Sequence, residues 1–186
     1  MNHPTNQKDS QIYSFFLNIM EPPRAPIEPM LASVTTSVRC CGCCCDYGNV
    51  IINVKADKNY ALSGDTINIT GNIDNSQSSA NVSEGLISLE ERRVIISKAG
   101  LTRFRFDNQY NLGQIGAVGS GQNFDFNFQA VIPEKITSYT AIGRVTARYF
   151  VIGCYVAVGC CTTPPQAEMH IVIHSKTPNI EKQEKV

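Results

Sequence analysis

From residue 49 onward, apolar side chains recur at every second position, the period that lines one face of an extended strand. In "NVIINVKAD" Val50, Ile52, Val54 and Ala56 alternate with Asn53 and Lys55. In "TINITGNID" Ile67, Ile69, Gly71 and Ile73 alternate with Thr66, Asn68, Thr70 and Asn72. "NFDFNFQAVI" carries the clearest alternation, with Phe124, Phe126, Phe128, Ala130 and Ile132 on one face and Pro133 ending the run. "VSEGLISLEERRVIIS" predicts a long strand with a bulge near Glu90-Glu91, and "LTRFRFDNQYNL" a strand with Phe104 and Phe106 opposite Arg103 and Arg105. "YTAIGRVTARYFVIGCYVAVG" is about twice the usual strand length, so a bend or bulge is expected near Gly153. "EMHIVIH" closes the series.

That makes seven strands and no convincing helix, joined by the turns and loops "DKNYALSGD", "NSQSSAN" and the glycine-rich "GQIGAVGSGQ". Short alternating strands of this kind predict an all-β fold, an immunoglobulin-like two-sheet antiparallel β-sandwich. Its expected core is Val50, Ile52, Val54, Ile67, Ile69, Ile73, Leu86, Leu89, Phe124, Phe126, Phe128, Val145, Tyr149, Ile171 and Ile173.

Upstream the pattern is different. "EPPRAPIEP" over residues 21–29 has prolines too close together for a helix interior, and residues 1–38 read as a polar, proline-rich segment and linker. "QIYSFFLNI" over residues 11–19 fits a strand or a short helix. The expected organisation is therefore a segment over 1–38, a sandwich over 39–176 and a charged tail over 177–186.

Composition narrows the function classes. Sixteen basic residues balance sixteen acidic ones, and no basic stripe suggests nucleic acid as a partner. The longest apolar stretch, residues 149–161, falls short of the roughly 20 residues of a membrane-spanning helix. The start lacks a signal peptide's continuous apolar region and small-residue cleavage site, so a cytoplasmic protein is expected. In a reducing compartment the eight cysteines would be free, metal-bound or lipidated rather than bridged.

The order of features over residues 45–174 resembles the C-terminal domain of an arrestin, in the alpha-arrestin, or arrestin-domain-containing, branch. The residues that carry the resemblance are Gly48, Tyr60, the Gly64-Asp65 turn, the strand 67–73, Asn75-Ser76, the strand 86–89, and a proline-terminated strand followed by a long one. Cysteines just before the first strand also occur in that branch. The resemblance implies a non-catalytic adaptor or scaffold in intracellular trafficking or endocytosis of membrane cargo. Its partners would be proteins, among them membrane receptors or trafficking components, and its location cytoplasmic, endosomal or membrane-associated. Arrestins have two sandwiches and this chain has room for one, so residues 1–38 correspond at most to the end of an N-terminal domain and its linker. "EPPRAP" and "TTPPQAE" lack the tyrosine of the Pro-Pro-x-Tyr motif through which alpha-arrestins recruit ubiquitin ligases.

The candidate chemistry centres on "RCCGCCCDYG", residues 39–48. A zinc site needs four ligands, with sulfurs at about 2.3 Å. On a strand Cys41, Cys43 and Cys45 share a face, and Cys160 or Cys161 could complete the set. S-acylation of Cys40, Cys41, Cys43, Cys44 and Cys45 is a second reading, giving peripheral membrane association. Reduced thiols packed beside a sandwich edge are the third. Apart from the zinc alternative, no cofactor is expected. His170 and His174, four apart on one strand face, read as surface residues. Glu90, Glu91, Arg92 and Arg93 read as solvated strand faces, as do Arg103 and Arg105. Arg144 and Arg148, alternating with Thr146, are candidates for a partner-binding face.

Overall fold

The computed structural model describes residues 19–20, 26–40, 45–96, 102–141, 146–159 and 164–176. Eleven strands run in chain order: β1 (Ile19–Met20), β2 (Met30–Cys40), β3 (Cys45–Ala56), β4 (Tyr60–Leu62), β5 (Thr66–Asp74), β6 (Val82–Ile96), β7 (Thr102–Ile115), β8 (Asn123–Val131), β9 (Tyr139–Ala141), β10 (Thr146–Val158) and β11 (Gln166–His174). They form two sheets, and the described residues contain no helix. The four-stranded sheet has the order β2-β3-β5-β8. The seven-stranded one has the order β1-β9-β10-β11-β4, with β6 and then β7 continuing from β10. All pairings are antiparallel except the short β4–β11 contact.

The expected all-β sandwich is present, with more strands than the seven foreseen. The largest correction is β2. Met30–Cys40 pairs with β3 from Met30↔Ala56 to Cys40↔Cys45, so the boundary expected at residue 38 falls inside a strand of the sandwich. The prolines end at Pro29, and "MLASVTTSV" beyond them is rich in β-branched residues that suit a pleated edge. β1 likewise joins the seven-stranded sheet through β9.

Alternation places the core as expected on β3 and β5. Val50, Ile52, Val54, Ile67, Ile69 and Ile73 are all buried. Opposite them lie Ile87, Leu89, Phe150, Ile152, Cys154, Val156, Met169, Ile171 and Ile173. Each such large side chain contributes about 1.5–3 kcal/mol when fully buried. Four expected core positions differ. Leu86 and Tyr149 are half-buried, on the opposite strand face from Leu89 and Phe150. Phe128 is half-buried, and Phe124, at the end of its ladder, is 38% exposed. Val145 lies outside the described residues. On β10 both faces are apolar over residues 149–158, so alternation there does not choose a side, and the even-numbered positions face inward.

Of the two bulges expected, the one near Glu90-Glu91 is present and the one near Gly153 is not. β6 and β10 stay in register through Gly153, and their irregularity comes at Ala157/Val158. The β6–β7 ladder shifts at Ile87/Ser88 and at Glu91/Arg92, and the extra residues, Leu112 and Asp107, are on β7. The Gly64-Asp65 turn is built as the sequence suggests. Gly64 has φ +82°, where a side chain would be strained, and Asp65 Oδ2 accepts from the Leu62 amide at 2.9 Å. Asn75 is fully buried and ties two loops together. Its Nδ2 donates to the carbonyls of Ala80 at 2.8 Å and Gly119 at 2.9 Å, so the glycine-rich loop is pinned.

Candidate functional site

The "EERR" of β6 splits between the two faces of its sheet, as a strand must. Glu90 and Arg92 point outward, Glu91 and Arg93 inward. These are not solvated strand faces: Glu90 is 4% exposed and Glu91 1%.

On the outer face Arg92 lies between two carboxylates from different strands. It grips Glu168 of β11 with both terminal nitrogens, at 2.9 and 2.6 Å, and Glu90 through Nε at 2.9 Å. The planar guanidinium matches two carboxylates at once, which a lysine could not do. Tyr155 of β10 reaches the same spot, and its hydroxyl donates to Glu90. The ring reaches there by lying back across Gly153, where any Cβ would collide with it. That contact accounts for the glycine in mid-strand, where a bend had been expected. Gln109 of β7 completes the group, donating to Ser88 Oγ at 3.1 Å.

The electrostatics follow from these contacts. The bond to Glu168 raises the Arg92 pKa despite burial. The same bond holds the Glu168 carboxyl below its ordinary value. Burial first, and then the bond to Glu90, pushes the Tyr155 hydroxyl well up, so it stays protonated and donating.

The inner face carries a second cluster, where the bulge at Asp107 re-aims a carboxylate. Asp107 sits between Arg93 Nε, at 3.0 Å, and Arg105 Nε, at 2.7 Å. Arg148 Nε lies 2.7 Å from Glu91 Oε1, its guanidinium carbon 5.5 Å from the centre of the Phe150 ring. Asn108 donates to the other Glu91 oxygen at 2.8 Å. Burial acts to raise the Glu91 pKa, but Arg148 and Asn108 outweigh it and hold the carboxyl below its ordinary range. Arg148 is thus engaged on the sheet's inner face, at 20% side-chain exposure, rather than presented to a partner. Arg144 lies outside the described residues.

The cysteines divide similarly. Cys45 is free and exposed at the start of β3. Cys40 pairs with it through the backbone ladder. Cys41, Cys43, Cys44, Cys160 and Cys161 lie outside the described residues, and the described residues contain no cluster of three metal-capable side chains. Cys154 is in the core, where burial pushes its thiol up to about 12. His170 is exposed beside the Tyr149 ring, at 5.6 Å, but His174 is 2% exposed and stacks edge-on against Tyr60. The reading of both histidines as surface residues therefore fails for His174, because β4 covers it.

Neither polar cluster was foreseen. The signal available was "EERR" in the middle of a strand whose neighbours are apolar. Four charges there need partners on both faces, and the partners, Glu168, Tyr155, Asp107 and Arg148, are distant in sequence.

No protein-family model matches the chain, and no curated protein matches it. Among solved structures, the sporulation control protein Spo0M from Bacillus subtilis is similar at 10% identity with a TM-score of 0.46. The match covers 68% of this chain and 50% of that one, so this chain spans half the length of that structure. A likeness this slight carries no argument here. No described helix is long and apolar enough to cross a membrane.

Proposed function

We propose that the chain is a non-catalytic, arrestin-like scaffold that binds partner proteins in the trafficking of membrane cargo. The observation that carries the binding role is the open edge of the four-stranded sheet. Among the described residues β2 pairs only with β3, and neither a charged side chain nor a bulge interrupts it from Met30 to Ser37, the ladder's irregularity coming at Ser37/Arg39. Natural sheets blunt their edges with charges, prolines or bulges. An uncharged edge of this length suits an extended partner segment added as one more strand. Leu31, 74% exposed on the outer face of that edge, offers such a segment an apolar contact. The two charged clusters of β6 support bracing rather than chemistry, since their carboxylates lie against guanidiniums. The trafficking role rests on the ordered resemblance over residues 45–174.

The test is affinity capture from cells with the wild-type chain and with Leu31→Glu/Thr35→Lys, which charges the edge at two exposed positions. The wild type is expected to retain coat, receptor or sorting components, and the variant to lose them while melting like the wild type. Capture of metabolic enzymes alone would remove the trafficking role. Unchanged capture by the variant would remove the edge.

A second reading, a zinc-binding or redox-responsive module, is favoured by one observation. Cys45 and Gly159, which flank the two cysteine-rich segments, leave the sandwich at the same end. Gly48 bridges to Ser78, and Val82 pairs with both Val158 and Val118. Elemental analysis of protein purified without chelator tests it: close to one zinc per chain, lost on replacing Cys41 and Cys43, supports the module, and metal-free folded protein removes it.

A further inference from the structure

We propose that the β6–β7 hairpin docks the protein onto an anionic lipid surface, independently of any cysteine and of the adaptor role above. The chain as a whole is balanced in charge, but residues 92–106, "RRVIISKAGLTRFRF", hold Arg92, Arg93, Lys98, Arg103 and Arg105 and no acidic residue. Arg92 and Arg93 are committed to carboxylates inside the two clusters. Arg103 is exposed, and Arg105, though it touches Asp107, has a side chain 68% exposed.

The apolar side chains here depart from the rest of the fold. Phe126 and Phe150 are buried, whereas Phe104 is 75% exposed and Phe106 54%. Both lie on the outer face of β7, opposite Val94 and Arg92. Arg103 and Arg105 lie on the other face, opposite Ile95 and Arg93. Among the described residues β7 is also an edge, pairing only with β6.

A one-strand-thick edge with rings on one side and guanidiniums on the other meets the chemistry of a lipid interface. The rings enter the boundary between headgroups and acyl chains, and the arginine stems let the cations reach phosphate or carboxylate at the level above. Anionic headgroups attract the exposed guanidiniums of Arg103 and Arg105. An acidic protein would match the cations. Two exposed phenyl rings, with the polar groups beside Phe106 already bonded to one another in the Arg92 cluster, are better matched by acyl chains, which need no fixed complementary shape.

The chain contains no tryptophan, so F104W introduces a single indole reporter. Recombinant, non-acylated F104W is mixed with vesicles of phosphatidylcholine alone and with vesicles containing about one third phosphatidylserine. The expected result is a blue-shifted emission and co-sedimentation with the phosphatidylserine vesicles only, both reversed by added salt. V131W, on the exposed face of the other sheet, is expected to show no shift. F104S/F106S and R103S/R105S, tested by sedimentation, are expected to bind at least tenfold more weakly while melting like the wild type. The proposal is overturned if the chain does not sediment with phosphatidylserine vesicles. It is equally overturned if the chain sediments with no shift in F104W, or if F104S/F106S binds as well as wild type. Hairpin variants that lose a protein partner while wild type ignores the vesicles would assign the surface to protein instead.

Discussion

Replacing Asn75 tests whether two loops at one end of the sandwich are held by a single buried amide. Its Nδ2 donates to Ala80 and Gly119 at 2.8 and 2.9 Å, with Val118 further off at 3.5 Å, and its own backbone carbonyl receives the amides of Ser78 and Gly121. Asn75→Ala leaves the backbone bonds but strands two carbonyls. Each such part-buried carbonyl left without its partner costs at most about 1–3 kcal/mol, so a loss of up to about 2–6 kcal/mol is expected. For a domain of this size each kcal/mol lowers Tm by about 2–4 °C, which puts the drop at about 4–24 °C. Asn75→Asp keeps the shape and turns the donor into an anion facing carbonyl oxygens. It should destabilise at least as much as the alanine at neutral pH and recover partly in acid, because a protonated carboxyl can donate once. Urea titrations across pH, alongside thermal melts, read both effects. Asn72→Ala serves as control: its bond to Asp125, at 2.7 Å, is exposed and should be worth less than about 0.5 kcal/mol. A loss below about 0.5 kcal/mol for Asn75→Ala, or an Asn75→Asp variant with no pH dependence, would refute the reasoning.

Three further outcomes follow from contacts described above. Glu168 has its folded pKa depressed by Arg92, so its contribution is present above the ordinary value of 4.5 and fades as pH falls through the folded pKa; the stability gap between wild type and Glu168→Gln, measured by urea titration, should shrink from pH 6 toward pH 3. Gly71→Ala would drive a methyl into the Phe126 ring and the Asn53 carbonyl and cost about 1–3 kcal/mol by denaturant titration, whereas Gly116→Ala, with nothing within 4 Å, should be near neutral. Cys45 should alkylate readily in the folded protein while Cys154 resists until unfolding, since a thiol pushed up to about 12 is thiolate in only about one molecule in ten thousand at pH 8; peptide mass spectrometry after timed iodoacetamide labelling reads both.

The strands that alternate cleanly were legible in the sequence. Val50 to Val54 and Ile67 to Ile73 face the core because one face of each strand is apolar and the other polar. Residues 149–158 were not legible in this way, since both faces are apolar and periodicity has no contrast to read. β2 was hidden for a local reason, as the prolines before it gave the segment the look of a linker until Pro29 ended them. The "EERR" charges read as solvated in the sequence because their partners come from Asp107, Arg148, Tyr155 and Glu168, which only the pairing of β6 with β7 and β10, and of β10 with β11, brings near. Gly153 shows the same limit. A glycine in a strand announces either a bend or a neighbour passing close, and which of these holds depends on a tyrosine ring two residues away.

The even split of "EERR" bears on how the strand finds its place during folding. If β6 slipped by one residue against β10, each face would still receive one glutamate and one arginine, so the ion pairs discriminate poorly between correct and shifted alignments. Selection falls to Ile87 and Leu89, which a slip would turn away from the interior, and to the β7 bulges at Leu112 and Asp107, which fix the ladder on its other side. Weakening those anchors would therefore favour misaligned hairpins and slow productive folding, in addition to lowering the stability of the finished protein.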